Sequence, residues 1–324
     1  MGSVPSSVWT LLLPFLFLLA LHLATMASRG RSSLVRSLVS KLEAERELEG
    51  LDRAVWYQAD LAAMPAALAA KFVQLGEDEE TAAFIRDSLE QSDWLFTQLY
   101  YNLAKSLLSW FYCQTDINGL LGRGGMFVVS RAQVQLLAAA SATPLAAAAP
   151  LPALLDLGAG DGAPTASLAP FFEQTFVTEV SAPMRRACQA RGFTVLELDA
   201  WAAEPAAFDA ISALNLLDRC ARPLTIVRDV HRALRPGGLL LVALVLPFRP
   251  YVEAVAGHRP EEVMAVRGET FREQVESAVE VFGGEGFLLE SWARVPYLCQ
   301  GDLNRPLYHL DNGLFLFRRV EKEE

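Results

Sequence analysis

The run Leu154-Leu155-Asp156-Leu157-Gly158-Ala159-Gly160-Asp161-Gly162 constrains the fold of this chain more than any other stretch. Apolar residues around one carboxylate predict a short buried strand. The three glycines at alternate positions that follow have no Cβ, so the loop can take positive-φ turns and let a ligand press against the backbone. A strand that enters a glycine loop opening a helix is the nucleotide-binding corner of a doubly wound α/β sheet. Beyond Leu151 strand and helix patterns alternate, as in a mostly parallel sheet. Strands are predicted at Leu154–Leu157, Gln174–Thr178, Thr194–Leu198, Ala210–Leu214, Leu239–Leu246, Phe287–Val295 and Leu314–Phe317. A helix over Leu224–Leu234 is closed by Arg235-Pro236-Gly237-Gly238, since Pro and Gly stop helices.

Upstream of this domain, residues 32–60 are charged and helix-friendly, and residues 61–114 carry helical patterning with many aromatics. Leu95, Leu99, Leu103 and Leu107 form one apolar stripe, expected to pack as a helical layer on the α/β domain. Four glycines around Arg123 predict an irregular loop, not a helix, over residues 115–129. The Ala-rich stretch 137–150 reads as a helix end plus linker. The expected organisation is therefore residues 1–28 as signal peptide or membrane anchor, 29–150 as a helical region with Gly-rich loop and linker, and 151–324 as the α/β domain.

Composition narrows the chemistry. With 324 residues, 52% of them hydrophobic and 20% charged, the chain can build a packed core. A formal net charge of −10 argues against gripping phosphate backbones, so no nucleic acid is expected. The four cysteines (Cys113, Cys188, Cys220, Cys299) form no C-x-x-C pair and the four histidines lack metal-ligand spacing, so no metal is expected and the cysteines read as free thiols. Met1 to Ser28 contains no Asp, Glu, Lys or Arg, and Val8 to Ala27 is almost wholly apolar. That predicts a secretory signal peptide ending near Thr25 and Ala27, or an uncleaved anchor that associates the chain with a membrane. The expected destination is the endoplasmic reticulum or secretory route. Arg29, Arg31 and Arg36, in a stretch that has no acid before Glu43, leave a mitochondrial address as the alternative. A monomer is expected.

Two nucleotides compete for the loop. Gly158, Gly160 and Ala163 satisfy the dinucleotide pattern G-x-G-x-x-A, and the same stretch reads as D-x-G-x-G-x-G, the S-adenosylmethionine version. Glu179 ends the second strand, where a carboxylate can accept from ribose hydroxyls of either cofactor. Asp199 after the third strand could accept from an adenine amino group, with Ala200 and Trp201 covering the ring. Asn215 after the fourth strand, in Asn215-Leu216-Leu217-Asp218-Arg219, faces the point where a transferred methyl would lie. Asp161 reads equally well as a turn residue. The Arg-Pro-Gly-Gly turn before a long apolar strand is common in class I methyltransferases.

Asp156–Gly162, Leu214-Asn-Leu-Leu-Asp-Arg-Cys220 and Leu244-Val-Leu-Pro-Phe-Arg-Pro-Tyr-Val-Glu253 closely resemble the DREV family, also called methyltransferase-like protein 9. So do Asn118-Gly-Leu-Leu-Gly-Arg-Gly124, Pro296-Tyr-Leu-Cys299 with Gly301-Asp302, and Trp94-Leu-Phe with Gln98-Leu-Tyr100. The resemblance covers roughly residues 80 to 320. It implies a class I S-adenosylmethionine-dependent methyltransferase, with a Rossmann-like, seven-stranded mostly parallel sheet and an N-terminal helical extension. It further implies a protein-histidine N-methyltransferase acting on the pros nitrogen (Nδ1) in His-x-His sequences of target proteins, x being small. Carried over by motif, Asp156, Gly158, Gly160 and Glu179 hold the donor, Asn215 and Asp218 meet the target imidazole, and Tyr308 helps clamp it. Two features depart from the family: the Ala-rich segment before the first strand, and Asp199, which stands on the adenine side where animal relatives carry an amide.

In-line methyl transfer needs the lone-pair nitrogen of neutral imidazole aimed at the methyl carbon. A carboxylate accepting the N–H of the far nitrogen fixes that tautomer and stabilises the developing imidazolium. Asp218 is assigned that catalytic role. Asn215 would orient the ring or the amino-acid end of the donor, and Tyr297, Tyr308, Phe248 and Tyr251 are candidates for an aromatic slot. The competing readings are a methyltransferase for a small molecule or lipid, a binding module without activity, and an NAD-dependent oxidoreductase. The chain has no His-x-His of its own, so it cannot methylate itself at that motif.

Overall fold

The computed structural model describes residues 36–321 apart from Pro144, Ala254 and Ala256, so the expected signal or anchor at residues 1–28 lies outside the described residues. A helix over 36–49 comes first, followed by the short turns Arg53–Tyr57 and Ala66–Ala69. Four helices follow: α1 (Glu79–Asp93), α2 (Leu95–Leu108), α3 (Gln114–Leu121) and, after the two-residue strand β1 (Met126–Phe127), α4 (Arg131–Ala139). Then come β2 (Leu151–Leu157), α5 (Ala163–Leu168), β3 (Phe172–Thr178), α6 (Ala182–Ala190), β4 (Thr194–Val195) and β5 (Phe208–Leu214). The chain closes with α7 (Pro223–Ala233), β6 (Leu234–Val245), α8 (Phe271–Gly284), β7 (Phe287–Gln300) and β8 (Leu307–Arg319).

The strands form one sheet in the order β1-β7-β8-β6-β5-β2-β3-β4. β4, β3, β2, β5 and β6 run parallel, and β8 lies antiparallel between β6 and β7. The seven predicted strands are present in the class I methyltransferase arrangement, and β1 adds an eighth at the edge by pairing antiparallel with β7. From β2 the chain moves outward through β3 and β4, then crosses back to β5 on the other side. The order therefore reverses between β2 and β5, and ligands bind at such a reversal, beyond the carboxyl ends of the strands. Both the glycine loop after β2 and Asn215 after β5 lie there.

Each face of the sheet has its own core. On one face α7 and α8 (Val227, Val230, Val275, Phe282) cover Leu240, Val242, Trp292, Phe315 and Phe317. On the other, residues upstream of the α/β domain supply the cover: Trp56, Tyr57, Ile85, Val134 and Leu137 pack on Leu154, Leu241 and Leu316. The helical region is thus one layer of the fold. It is stitched to β7 by backbone and ring, with Val73 N donating to Trp292 O at 2.8 Å and Trp292 Nε1 to Leu68 O at 2.9 Å. Asp78 couples two helix starts, because its carboxylate accepts from Thr81 N at the cap of α1 and from Ser130 Oγ at the cap of α4.

Three expectations are corrected. Residues 115–129 are not all loop: α3 occupies the first half, and Gly119 sits inside it because a Cβ there would come within 2.9 Å of Pro183 Cβ. The third strand stops at Val195 instead of Leu198. The apolar stripe on α2 does not pack on the domain. Leu99 is exposed, Leu103 and Leu107 are only partly covered, and Gln98 on the other side is buried.

Candidate active site

Gly158, Gly160 and Gly162 all adopt positive φ (68°, 59° and 79°), which costs any residue with a Cβ. At Gly158 space is short as well, since a Cβ would come within 2.8 Å of Leu216. The loop is tied to β3, where Thr178 O accepts from both Gly158 N and Ala159 N at 3.0 Å. Glu179, buried beside it, accepts from Gly160 N at 2.9 Å and Ser181 N at 2.8 Å, one bond to each oxygen. Each oxygen keeps a second lone pair for a ribose hydroxyl. Ser181 Oγ in turn donates to Asp116 of α3 at 2.6 Å, so the Gly-rich segment upstream is fastened to the nucleotide corner.

Asp156 is buried beneath the loop. Ser212 Oγ donates to one of its oxygens at 2.6 Å and Thr165 Oγ1, in α5, to the other at 2.5 Å. Burial pushes its carboxyl up to about 6 against those two bonds, and the charge of Glu179 pushes the same way. In this geometry Asp156 braces the loop and helix from below and acts on a ligand through them. Asp161 is a turn residue that accepts from Ala163 N at 2.9 Å. Asp199 lies exposed in the turn after β4, and Trp201 packs into the main core instead of lying free to cover an adenine.

At the end of β5 the geometry is of another kind. Asn215 has φ of 57°, a conformation asparagine tolerates better than most residues, and its N–H donates to Ala243 O at 3.0 Å. Its side-chain amide is buried with neither Oδ1 nor Nδ2 partnered. Three residues on, Asp218 is buried with Oδ1 unpartnered, while Oδ2 lies 3.1 Å from Arg219 Nε. Burial raises the Asp218 carboxyl above the ordinary range and Arg219 opposes it. Buried polar atoms are almost always satisfied, so a cluster of unpaired ones marks a place built for a partner. Asp218, Arg219, Pro247, Arg249, His309 and Asp311 border an open cleft of about 370 Å³.

The expected aromatic slot divides. Tyr297 is close to this cleft. Its hydroxyl donates to Met126 Sδ at 2.5 Å, and burial pushes it well above the usual phenol value. Tyr308, on the neighbouring strand, donates to Asp302 Oδ1 at 3.1 Å and is pushed up to about 12 by burial and that carboxylate. Tyr251 is exposed and stacks on His258 at 4.5 Å, its N–H bonded to Asp218 O at 2.8 Å. Phe248 is corrected: it is buried in the main hydrophobic core, its backbone N–H held by Gln274 Oε1 at 2.6 Å.

One residue escaped the sequence reading. Asn312 in β8 is fully buried, and neither amide atom has a partner. Its register partners are Val245 and Val295, and Tyr297 lies two residues beyond Val295, so Asn312 and Tyr297 share a face of the sheet. The available signal was the polar pair Asp311-Asn312 standing just before the apolar run Leu314–Phe317.

Among solved structures the chain is similar to the N-methyltransferase NodS from Bradyrhizobium japonicum in complex with S-adenosylhomocysteine, at 21% identity over 53% of this chain and 80% of that one, with a TM-score of 0.36. It is also similar to the [4+2]-cyclase SpnF, at 19% identity over 54% and 76% of the two chains with a TM-score of 0.37. The YcgJ protein of a Bacillus matches at 13% identity over 54% and 95%, again with a TM-score of 0.37. The family model of the DREV methyltransferases matches residues 56–319, from the first buried aromatics of the upstream layer to the end of the last strand. The chain belongs to the DREV methyltransferase family.

Proposed function

We propose that this S-adenosylmethionine-dependent methyltransferase modifies proteins, placing the methyl group on the pros nitrogen of histidine in His-x-His sequences with a small central residue. The observation that carries the reading is Asp218, buried with an unpartnered Oδ1 on the border of an open cleft, three residues beyond the unpartnered amide of Asn215. Bound S-adenosylmethionine supplies an electrophilic methyl carbon on a sulfonium. The residues present fit it: a loop whose positive-φ glycines leave the backbone bare, and a buried carboxylate, Glu179, with lone pairs to spare. Gly158, Gly160 and Glu179 would hold it, braced by Asp156, with the Asn215 amide toward the reacting end.

Asp218 Oδ1 accepts the N–H of the far imidazole nitrogen. That leaves the pros nitrogen as the lone-pair atom and offsets positive charge as it develops. Asn215 holds the ring plane, Tyr297 and Tyr308 flank it, and proton loss follows product formation. The residues 1–28 route the enzyme to the endoplasmic reticulum or secretory pathway in this reading, where its partners are proteins carrying His-x-His.

The test is incubation of a His-x-His peptide panel with enzyme and labelled donor, followed by mass spectrometry that resolves the two ring nitrogens. Pros-methylhistidine is expected, and only where x is small. Label that appears in small molecules or lipids and not in peptides would replace this reading with the alternative substrate class.

Asn312 offers a second measurement. Substituting leucine for a buried, unpartnered amide of similar size removes a desolvation cost of about 1–3 kcal/mol. Asn312→Leu is expected to raise the melting temperature and to raise the peptide KM, a trade of function for stability. A lowered melting temperature in calorimetry would show that the amide is satisfied in the folded protein.

A further inference from the structure

The outward face of α2 is apolar, the inverse of an ordinary surface helix. Phe96 is 87% exposed and Tyr100 60%, and the turn after the helix adds Trp110 at 84% and Phe111 at 82%. Phe96, Leu99, Tyr100, Leu103 and Leu107 recur at three- and four-residue spacing and so lie along one stripe. The opposite side faces the protein. Gln98 is buried and accepts from Arg123, whose guanidinium lies 4.4 Å above the Tyr101 ring and also donates to Gly301 O. The helix is therefore held in place by its polar side and presents its aromatic side outward. Contiguous exposed apolar surface of this kind marks a contact with a partner or a membrane.

The path of the chain says which. The helix over 36–49 is fixed beside the start of α2, because Lys41 Nζ donates to Ser92 O at 2.7 Å and to Asp93 Oδ1 at 2.8 Å, immediately before Trp94. Upstream of that helix lies Val8–Ala27, a segment without a charged residue and long enough to span or enter a bilayer. The residues between Ala27 and Arg36 reach at most roughly 30 Å when fully extended. The helix that follows the apolar segment in sequence is thus fixed at the corner that carries the outward aromatic face. Trp and Tyr favour the membrane–water interface. The net charge of −10 gives no attraction to anionic headgroups, so contact made through this face is apolar in origin.

We propose that the outward face of α2 and the turn after it dock on a lipid bilayer, with Phe96, Tyr100, Trp110 and Phe111 at the headgroup boundary, on the same membrane that the apolar N-terminal segment enters. The contact does not depend on which group the enzyme methylates.

Full-length protein reconstituted with phosphatidylcholine vesicles carrying brominated acyl chains tests it, because bromine quenches tryptophan that reaches the lipid. The background is Trp9→Phe with Trp94→Phe, which removes the tryptophan of the N-terminal segment and the one on the inner side of α2; Trp56, Trp201 and Trp292 are buried in the fold. Quenching that persists at high salt is expected, and is expected to vanish when Trp110→Phe is added. Phe96→Glu with Tyr100→Glu is expected to abolish quenching while the protein still sediments with the vesicles. Vesicle-bound protein whose emission bromine leaves unchanged overturns the proposal. So does vesicle-free protein whose Trp110 is already shielded from a soluble quencher, since a second copy or the chain's own N-terminal segment then covers the face.

Discussion

Asp218→Ala is expected to abolish methyl transfer to peptide while leaving donor binding unchanged. Asp218 is buried, its Oδ1 has no partner, and it borders the cleft, three residues beyond Asn215. A buried carboxylate in that position does two things at once. It selects the tautomer with the lone pair on the attacking nitrogen, and it stabilises charge that appears only as the bond forms. Interactions made in the transition state and not before act on kcat. Removing the acid that orients a catalytic histidine in a Ser-His-Asp triad lowers kcat by about 10⁴, and the loss here is expected to be roughly 10³- to 10⁴-fold. The variant should fold. Arg219 is half exposed and loses little with its partner, and the bond from Tyr251 N goes to the main-chain carbonyl at position 218. Single-turnover assays with labelled donor measure the transfer, and calorimetry measures donor affinity. Methylation at the normal rate would remove Asp218 from the mechanism.

Much of this could be read from residue order alone, for definite reasons. A parallel sheet buried on both faces leaves near-continuous apolar runs, so the seven strands were legible as Leu-, Val- and Phe-rich stretches between helices. Three alternate glycines can serve few local structures, and the loop they form has the expected backbone. What escaped depends on distance in space. Phe248 sits after a strand end like the other aromatics, and only the packing of α8 shows that it belongs to the core. The glycines at 119–125 signal irregularity, yet Gly119 is there for the approach of α6, and a helix runs through it. The stripe on α2 has the period of a core helix, and period cannot say which side of a helix meets the protein. The contact of half-buried Arg123 with buried Gln98 decides that. Asp156 carries the family motif, and its bonds to Thr165 and Ser212 assign it to bracing the loop; no sequence pattern separates a brace from a ligand.

Because Asp156 is a brace, its replacement distinguishes charge from shape. Asp156→Lys puts a cation into a site with 1% exposure, where the bonded neighbours are two hydroxyls and the nearby Glu179 carboxylate is held by Gly160 N and Ser181 N. Burying an unpaired ion costs several kcal/mol, so the lysine is expected to force the loop and the start of α5 away from β2. Donor affinity should then fall by more than about 100-fold, the equivalent of about 3 kcal/mol. Asp156→Asn keeps the shape and can bond both hydroxyls, so it should hold the donor nearly as well as the parent. It should also change how stability depends on pH. The carboxyl is pushed from its ordinary 3.8 up to about 6 in the folded protein. The folded state therefore binds the proton more tightly than the unfolded state. The stability this contributes is fully present below about 4 and is lost as pH rises through about 6, an effect of about 3 kcal/mol at order of magnitude. In thermal melts between pH 4 and pH 7, the parent should lose that contribution across the window and Asp156→Asn should not. Equal slopes in the two proteins would mean that the buried acid stays ionised throughout, and a donor affinity unchanged by lysine would mean that the loop does not rest on it.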